Sequence, residues 1–214
     1  MDGFASGIGV TMEKALITEI ANIAARLVVE EGLDWGQAKR RAIKELGLPA
    51  RTPLPDNDRV EDAVREYIGL FCPDTQPLEL RALRELALVW MQRMQAFRPY
   101  LGAAVWHGTA TRLSDIYVSL FCDDPKSAEI ALIDHHVNYE PGSVKGMRGE
   151  MVDVLSLSSH CRELNEEIGV HLLIYDLDDL RGALRPDARG RVPRGDMNAV
   201  RRLLQQTPSS ASIP

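Results

Sequence analysis

The chain has 214 residues, a formal net charge of −6, 45% hydrophobic residues and 26% charged ones. That is the composition of a globular protein with room for one large domain or two small ones, and it excludes a disordered or fibrous chain. The acidic balance argues against a broad nucleic-acid footprint, which is built from clustered Lys and Arg.

The chain opens on Met1 to Met12 without a basic segment leading into an apolar run, and nowhere does an apolar run approach the roughly 18 residues of a membrane span. Cys72, Cys122 and Cys161 are odd in number and belong to no CxxC or Cys/His array, so a reducing, cytoplasmic setting is expected. From Met12 to Glu31, Leu16, Ile20, Ile23 and Leu27 recur at the spacing of one helical face, and Gly32 supplies a stop. Asp34 with Gln37 reads as a capping box for a second helix ending at Leu46 and Gly47, with Lys39, Arg40, Arg41 and Lys44 on a solvated face.

A Pro-rich connection, Ala50 to Pro55, leads to a third helix opened by Asp58 and Glu61. A fourth, about Leu78 to Phe97, aligns Leu83, Ala87, Trp90 and Met94. These four helices are expected to pack together, and residues 1–97 to form an all-helical N-terminal segment that offers a surface for a protein partner or a second copy of the chain. A helix-turn-helix reading is outweighed, because the joint at Glu31 to Asp34 is generic and the net charge is acidic.

Residues 98–214 change character and are expected to form an α/β domain. Tyr100 to Trp106 is short and apolar and reads as a strand, as does Ile116 to Cys122 after a Gly/Thr turn. Asp124 and Pro125 start a helix as N-cap and first residue, ending near His135 and His136. Val152 to Leu157 and Val170 to Tyr175 are further strands, with Ser158 to Cys161 read as a loop between them. An Arg/Gly/Pro-rich loop from Arg185 to Gly195 precedes a last short helix over Asp196 to Gln206, and fraying is expected from Ser209.

The stretch Gly108 to Val118 is the informative one. A small-residue pair at a turn, Gly108 and Thr109, leaves backbone N–H groups able to approach phosphate oxygens. Asp115 follows at the head of a strand, where it shares a face with position 117. The fixed charge and planar fork of Arg112, inside the loop, suit an anion.

These residues resemble the nucleotidyltransferase superfamily, whose fingerprint is a small pair, a spacer and an Asp-x-Asp or Asp-x-Glu on the next strand. The chain from about Leu27 to Tyr139 is similar to bacterial proteins in which helices precede such a domain. The resemblance implies an α+β fold, a nucleotidyltransferase-like mixed β-sheet with flanking helices. It also implies transfer of a nucleoside monophosphate from an NTP, with Mg²⁺ bridging the phosphates. Gly108, Thr109 and Arg112 would bind the nucleotide, while Asp115 and, from a later strand, Asp153 would hold metal and serve catalysis. Position 117, the place of the second carboxylate, is Tyr117, and a neutral phenol is a poor Mg²⁺ ligand. Two readings therefore stand side by side: a transferase, and a non-catalytic nucleotide-binding or protein-interaction module on the same fold.

Overall fold

The computed structural model describes residues 4–206, with side chains described from Met12 onward; the expected fraying from Ser209 lies outside the described residues. The chain divides into two compact units, Met1–Asp74 and Thr75–Pro214.

The first unit is three helices: α1 (Phe4–Glu31), α2 (Trp35–Glu45) and α3 (Asn57–Phe71). Its core is made by Ile20, Ala24 and Leu27 of α1, Ala38 and Ala42 of α2, and Val60 and Val64 of α3, all fully buried. Alanines at the contacts let the backbones approach closely. Asp34 caps α2 by accepting from the Gln37 amide at 2.9 Å. Asp56, two residues earlier than the sequence pattern predicts, caps α3 by accepting from the Arg59 amide at 2.8 Å. Arg41 on the basic face of α2 pairs with Glu31 and Glu45, so part of that charge is neutralised within the unit.

The second unit begins with α4 (Gln76–Arg93), which packs on the sheet. After a 3-10 turn come β1 (Tyr100–Leu101), α5 (Ala103–His107), β2 (Ile116–Cys122), α6 (Pro125–Asp134), β3 (Glu140–Lys145), β4 (Met151–Cys161), β5 (Glu166–Asp176), α7 (Leu180–Ala183) and α8 (Met197–Gln206). The strand order is β1-β2-β5-β4-β3; β2 runs parallel to β5 and every other pair is antiparallel. This is the mixed sheet with flanking helices, behind an all-helical segment, that the sequence leads one to expect.

One face of the sheet carries Ile116, Val118, Leu120, Val170, Leu172, Leu155 and Leu157, buried with Leu83, Ala87 and Trp90 of α4, Leu132 of α6 and Val200 of α8. Strand alternation sends the intervening residues to the other face. There Phe121, Tyr175 and Val152 pack with Ala183 of α7 at one end. The other end of that face, around Asp115 and Tyr117, lies open to solvent.

Two local elements differ from the sequence expectation. Only Tyr100 and Leu101 of the apolar run 100–106 are strand; Gly102 ends it as the N-cap of the short helix α5. Residues Ser158 to Cys161 are not a loop but the end of β4, paired with Glu166 to Gly169.

Candidate functional site: a polar strip on the open face of the sheet

Register builds the site. Tyr117 of β2 lies opposite His171 of β5, His171 opposite Ser156 of β4, and Ser156 opposite Glu140 of β3. Directly opposed residues share a face, so four side chains from four strands form one row. Asp115 stands two residues before Tyr117 and therefore on the same face, across from Gly169.

The row is linked by hydrogen bonds. His171 Nε2 lies 3.1 Å from Asp115 Oδ2, and His171 Nδ1 lies 2.9 Å from Ser156 Oγ. The ring of Tyr117 stacks on the imidazole with centroids 4.7 Å apart and planes 25° from parallel. Further along, the Ser158 hydroxyl donates to Glu167 at 2.7 Å. The hydrogen bond from His171 holds the Asp115 carboxyl below the usual carboxylate range, against the opposing effect of partial burial. Since an ionised carboxylate only accepts, the proton in that bond belongs to Nε2; in the neutral tautomer so assigned, Nδ1 is a lone pair and the Ser156 O–H donates to it.

Gly169 explains how Asp115 reaches the ring. A β-carbon at Gly169 would stand 2.5 Å from Asp115 Oδ1, closer than real contacts allow, so the missing side chain is the seat of the carboxylate. A groove of about 540 Å³, lined by Asn138, Glu140, Ser156 and Ser158 among others, opens beside Ser156.

The residues singled out in the sequence are only partly assembled here. Gly108 is the left-handed C-cap of α5 (φ 84°), and both its N–H and that of Thr109 donate to the Ala104 carbonyl, at 2.9 and 3.0 Å. Their donors are thus committed to a helix C-terminus instead of facing a ligand. The loop's other groups are also bound inward: Gln76 Nε2 donates to the carbonyls of Gly108 and Ala110 at 3.2 and 2.8 Å. Arg84, buried beneath, donates to the carbonyls of Val105 and Trp106. Burial pushes its guanidinium below the ordinary arginine value. Thr109 is 3% exposed, and its hydroxyl has no hydrogen-bond partner among the described residues. Arg112 pairs with Glu166, and its amide donates to Glu79 at 3.0 Å.

Asp153 sits opposite Ile174, which is level with Leu120 of β2. That is five residues up from Asp115 and two strands across, roughly 16 Å along the strands and about 10 Å sideways. Strand parity also sends it to the opposite face from His171, so Asp115 and Asp153 are not brought together. Asp176 caps the 3-10 turn after β5, accepting from the Asp178 amide at 2.8 Å. Among the described residues no group of three His, Cys, Asp or Glu side chains is placed to hold a metal ion. The donors at the open face therefore do not fit the Mg²⁺ that the resemblance implies: one carboxylate is held by an imidazole, and a phenol occupies the neighbouring place.

His171 and Ser156 were not singled out by motif. Their signal was the alternation Leu155-Ser156-Leu157-Ser158 and a histidine two residues after a glycine in an otherwise apolar strand. Both patterns place polar groups on one sheet face.

Fold and site together define a helix-flanked mixed-sheet protein with a polar strip on the exposed face. No family model matches the sequence, and no curated protein is significantly similar to it. Among solved structures, Cid1 in complex with the UTP analogue UMPNPP aligns over 47% of this chain and 31% of its own, at 14% identity and a TM-score of 0.31. Cid1 with its short product ApU aligns over 50% and 32%, at 15% identity and a TM-score of 0.32. A further Cid1 structure, of a poly(U) polymerase with MgGTP bound, gives 13% identity and a TM-score of 0.32. The aligned part spans about a third of those chains, and a likeness this slight decides neither substrate nor activity. No described helix is long and apolar enough to cross a membrane.

Proposed function

We propose that this protein is a nucleotide-binding module on a sheet of nucleotidyltransferase type, in which metal-assisted transfer has given way to metal-independent recognition. One observation carries the reading: Asp115, the carboxylate that the sequence motif assigns to Mg²⁺, is bonded to His171 at 3.1 Å and seated on Gly169. Mg²⁺ takes near-octahedral oxygen ligation and usually shares one or two carboxylates with substrate phosphates. A single carboxylate with an imidazole partner and a neighbouring phenol is a poor match to that requirement.

Tyr117 gives the positive side of the argument. The residue is 40% exposed and its ring is backed by the His171 imidazole, a platform for a planar base. Stacking of a base on such a ring is worth about 1–3 kcal/mol, a five- to 150-fold change in affinity.

The test is calorimetric titration with ATP and UTP, in Mg²⁺ and in EDTA. Binding is expected in both, weakened about five- to 150-fold in Tyr117→Ala. Mg²⁺-dependent release of pyrophosphate that disappears in Asp115→Asn would instead identify an active transferase and overturn the proposal.

A further inference from the structure

We propose that Ser156 is a nucleophile activated by His171, and that the open face of the sheet reacts through it with uncharged, activated acyl compounds such as aryl esters or thioesters. This goes beyond nucleotide recognition and does not require it, since it stands on the hydrogen-bond chain and the groove beside Ser156.

A hydroxyl becomes a competent nucleophile when a base is within hydrogen-bond reach and a third group orients that base. All three parts are present. Ser156 Oγ is 2.9 Å from His171 Nδ1, and His171 Nε2 is 3.1 Å from Asp115 Oδ2. Ser156 comes from β4, His171 from β5 and Asp115 from the residue just before β2, and Gly169 clears the space in which the carboxylate reaches the ring. The relay has the logic of a serine hydrolase triad, with the two ring nitrogens in exchanged roles. Asp115 meets the base and not Ser156, so it is a positioning residue; Ser156 and His171 are the catalytic pair.

Charge and backbone narrow the substrate. Glu140 lies directly across from Ser156, Glu167 accepts from Ser158 two residues on, and Asp115 completes an acidic surround. Beside these carboxylates an uncharged acyl carbon meets no charge repulsion. Strand β4 is paired on both sides, to β3 and β5, so its amides are engaged in the ladder and do not form an oxyanion hole. Losing such donors forgoes roughly 10²–10³ in rate, while a positioned general base supplies roughly 10²–10⁴. The substrate must therefore bring a good leaving group.

In the acylation step, Ser156 Oγ bonds to the acyl carbon and its proton passes to His171 Nδ1. The bond from that carbon to the leaving oxygen or sulfur breaks, and the proton follows it to give a phenol or thiol. Water then gives a proton to Nδ1 and its oxygen to the acyl carbon; the bond to Oγ breaks, Ser156 regains the proton, and a carboxylic acid leaves.

The experiment treats the full chain with an uncharged fluorophosphonate and with p-nitrophenyl acetate, locating the adduct by mass spectrometry. A single adduct on Ser156 is expected, absent in Ser156→Ala and formed at least tenfold more slowly in His171→Gln and in Asp115→Asn, with thermal unfolding monitored alongside. Ser156→Cys is expected to restore acylation and keep its dependence on His171, which a purely structural serine would not do. No adduct on the parent, an adduct elsewhere, or a rate indifferent to His171→Gln overturns the proposal. Nucleotide titration of the parent chain, read independently of adduct formation, keeps this outcome separate from that of the nucleotide reading.

Discussion

The carboxylate of Asp115 lies on Gly169, its Oδ1 2.5 Å from the point where a β-carbon on that glycine would stand. A methyl group there has nowhere to go unless the carboxylate swings away, which also breaks its bond to His171. Because the exposed carboxylate can swing aside, Gly169→Ala is expected to cost only about 0.5–1.5 kcal/mol, on the order of the one hydrogen bond to His171 that is lost. In an Asp115→Ala background the same change should cost far less. Denaturant unfolding of the two single variants and the double variant gives the coupling, and simple additivity would refute the seating.

Acid should weaken this contact. Asp115 has a folded-state pKa below its unfolded value near 3.9, so its contribution to stability is fully present above about pH 5. That contribution is lost as pH falls through the lower, folded value. Unfolding midpoints of the parent and Asp115→Asn are expected to differ most near neutrality and to converge at strongly acidic pH; a constant offset would contradict the depressed value.

Arg84 and Arg112 should behave oppositely despite their common chemistry. Arg84 is 7% exposed and satisfies the Val105 and Trp106 carbonyls at the end of α5. Arg84→Met would leave those acceptors without their donor, at about 1–3 kcal/mol. Arg112 is surface-exposed and paired with Glu166, so Arg112→Met is expected to cost under about 1 kcal/mol. Chemical denaturation of the two variants ranks them directly.

Thr109→Val removes a buried hydroxyl that has no hydrogen-bond partner among the described residues. Replacing such a group with a methyl is expected to be neutral or to stabilise by up to about 1 kcal/mol, because no bond is lost and less polar surface is buried. Nucleotide affinity should not move, since Thr109 faces the interior. A large drop in affinity would return this residue to the ligand.

Much of the architecture can be read from pattern alone. The helical spacing of Ile20, Ala24 and Leu27, the Asp34 cap, and the apolar run Ile116 to Cys122 all appear where side-chain periodicity puts them. Strand β3 does not, because Glu140 to Lys145 contains Pro141 and Gly142 and is exposed throughout; it exists through its ladder to β4. Gly108 shows how one signal serves two structures. A glycine after an apolar run marks a phosphate-binding turn in some folds and a helix C-cap in others. The choice here turns on α5, a helix too short for periodicity to reveal. Asp115 stands out in a motif, whereas the residue it meets, His171, is 56 residues away and no local pattern links them.

That separation orders the assembly of the strip in time. Ser156 and His171 are 15 residues apart on an antiparallel hairpin, whereas His171 and Asp115 meet only when the parallel pairing of β5 with β2 closes a much longer loop. Local hairpins form in microseconds, and non-local parallel pairing is the slow part of folding. The Ser156 contact thus needs only the hairpin, whereas the Asp115 contact needs the non-local pairing as well. The Asp115 contact therefore reports that β5 has found its register against β2.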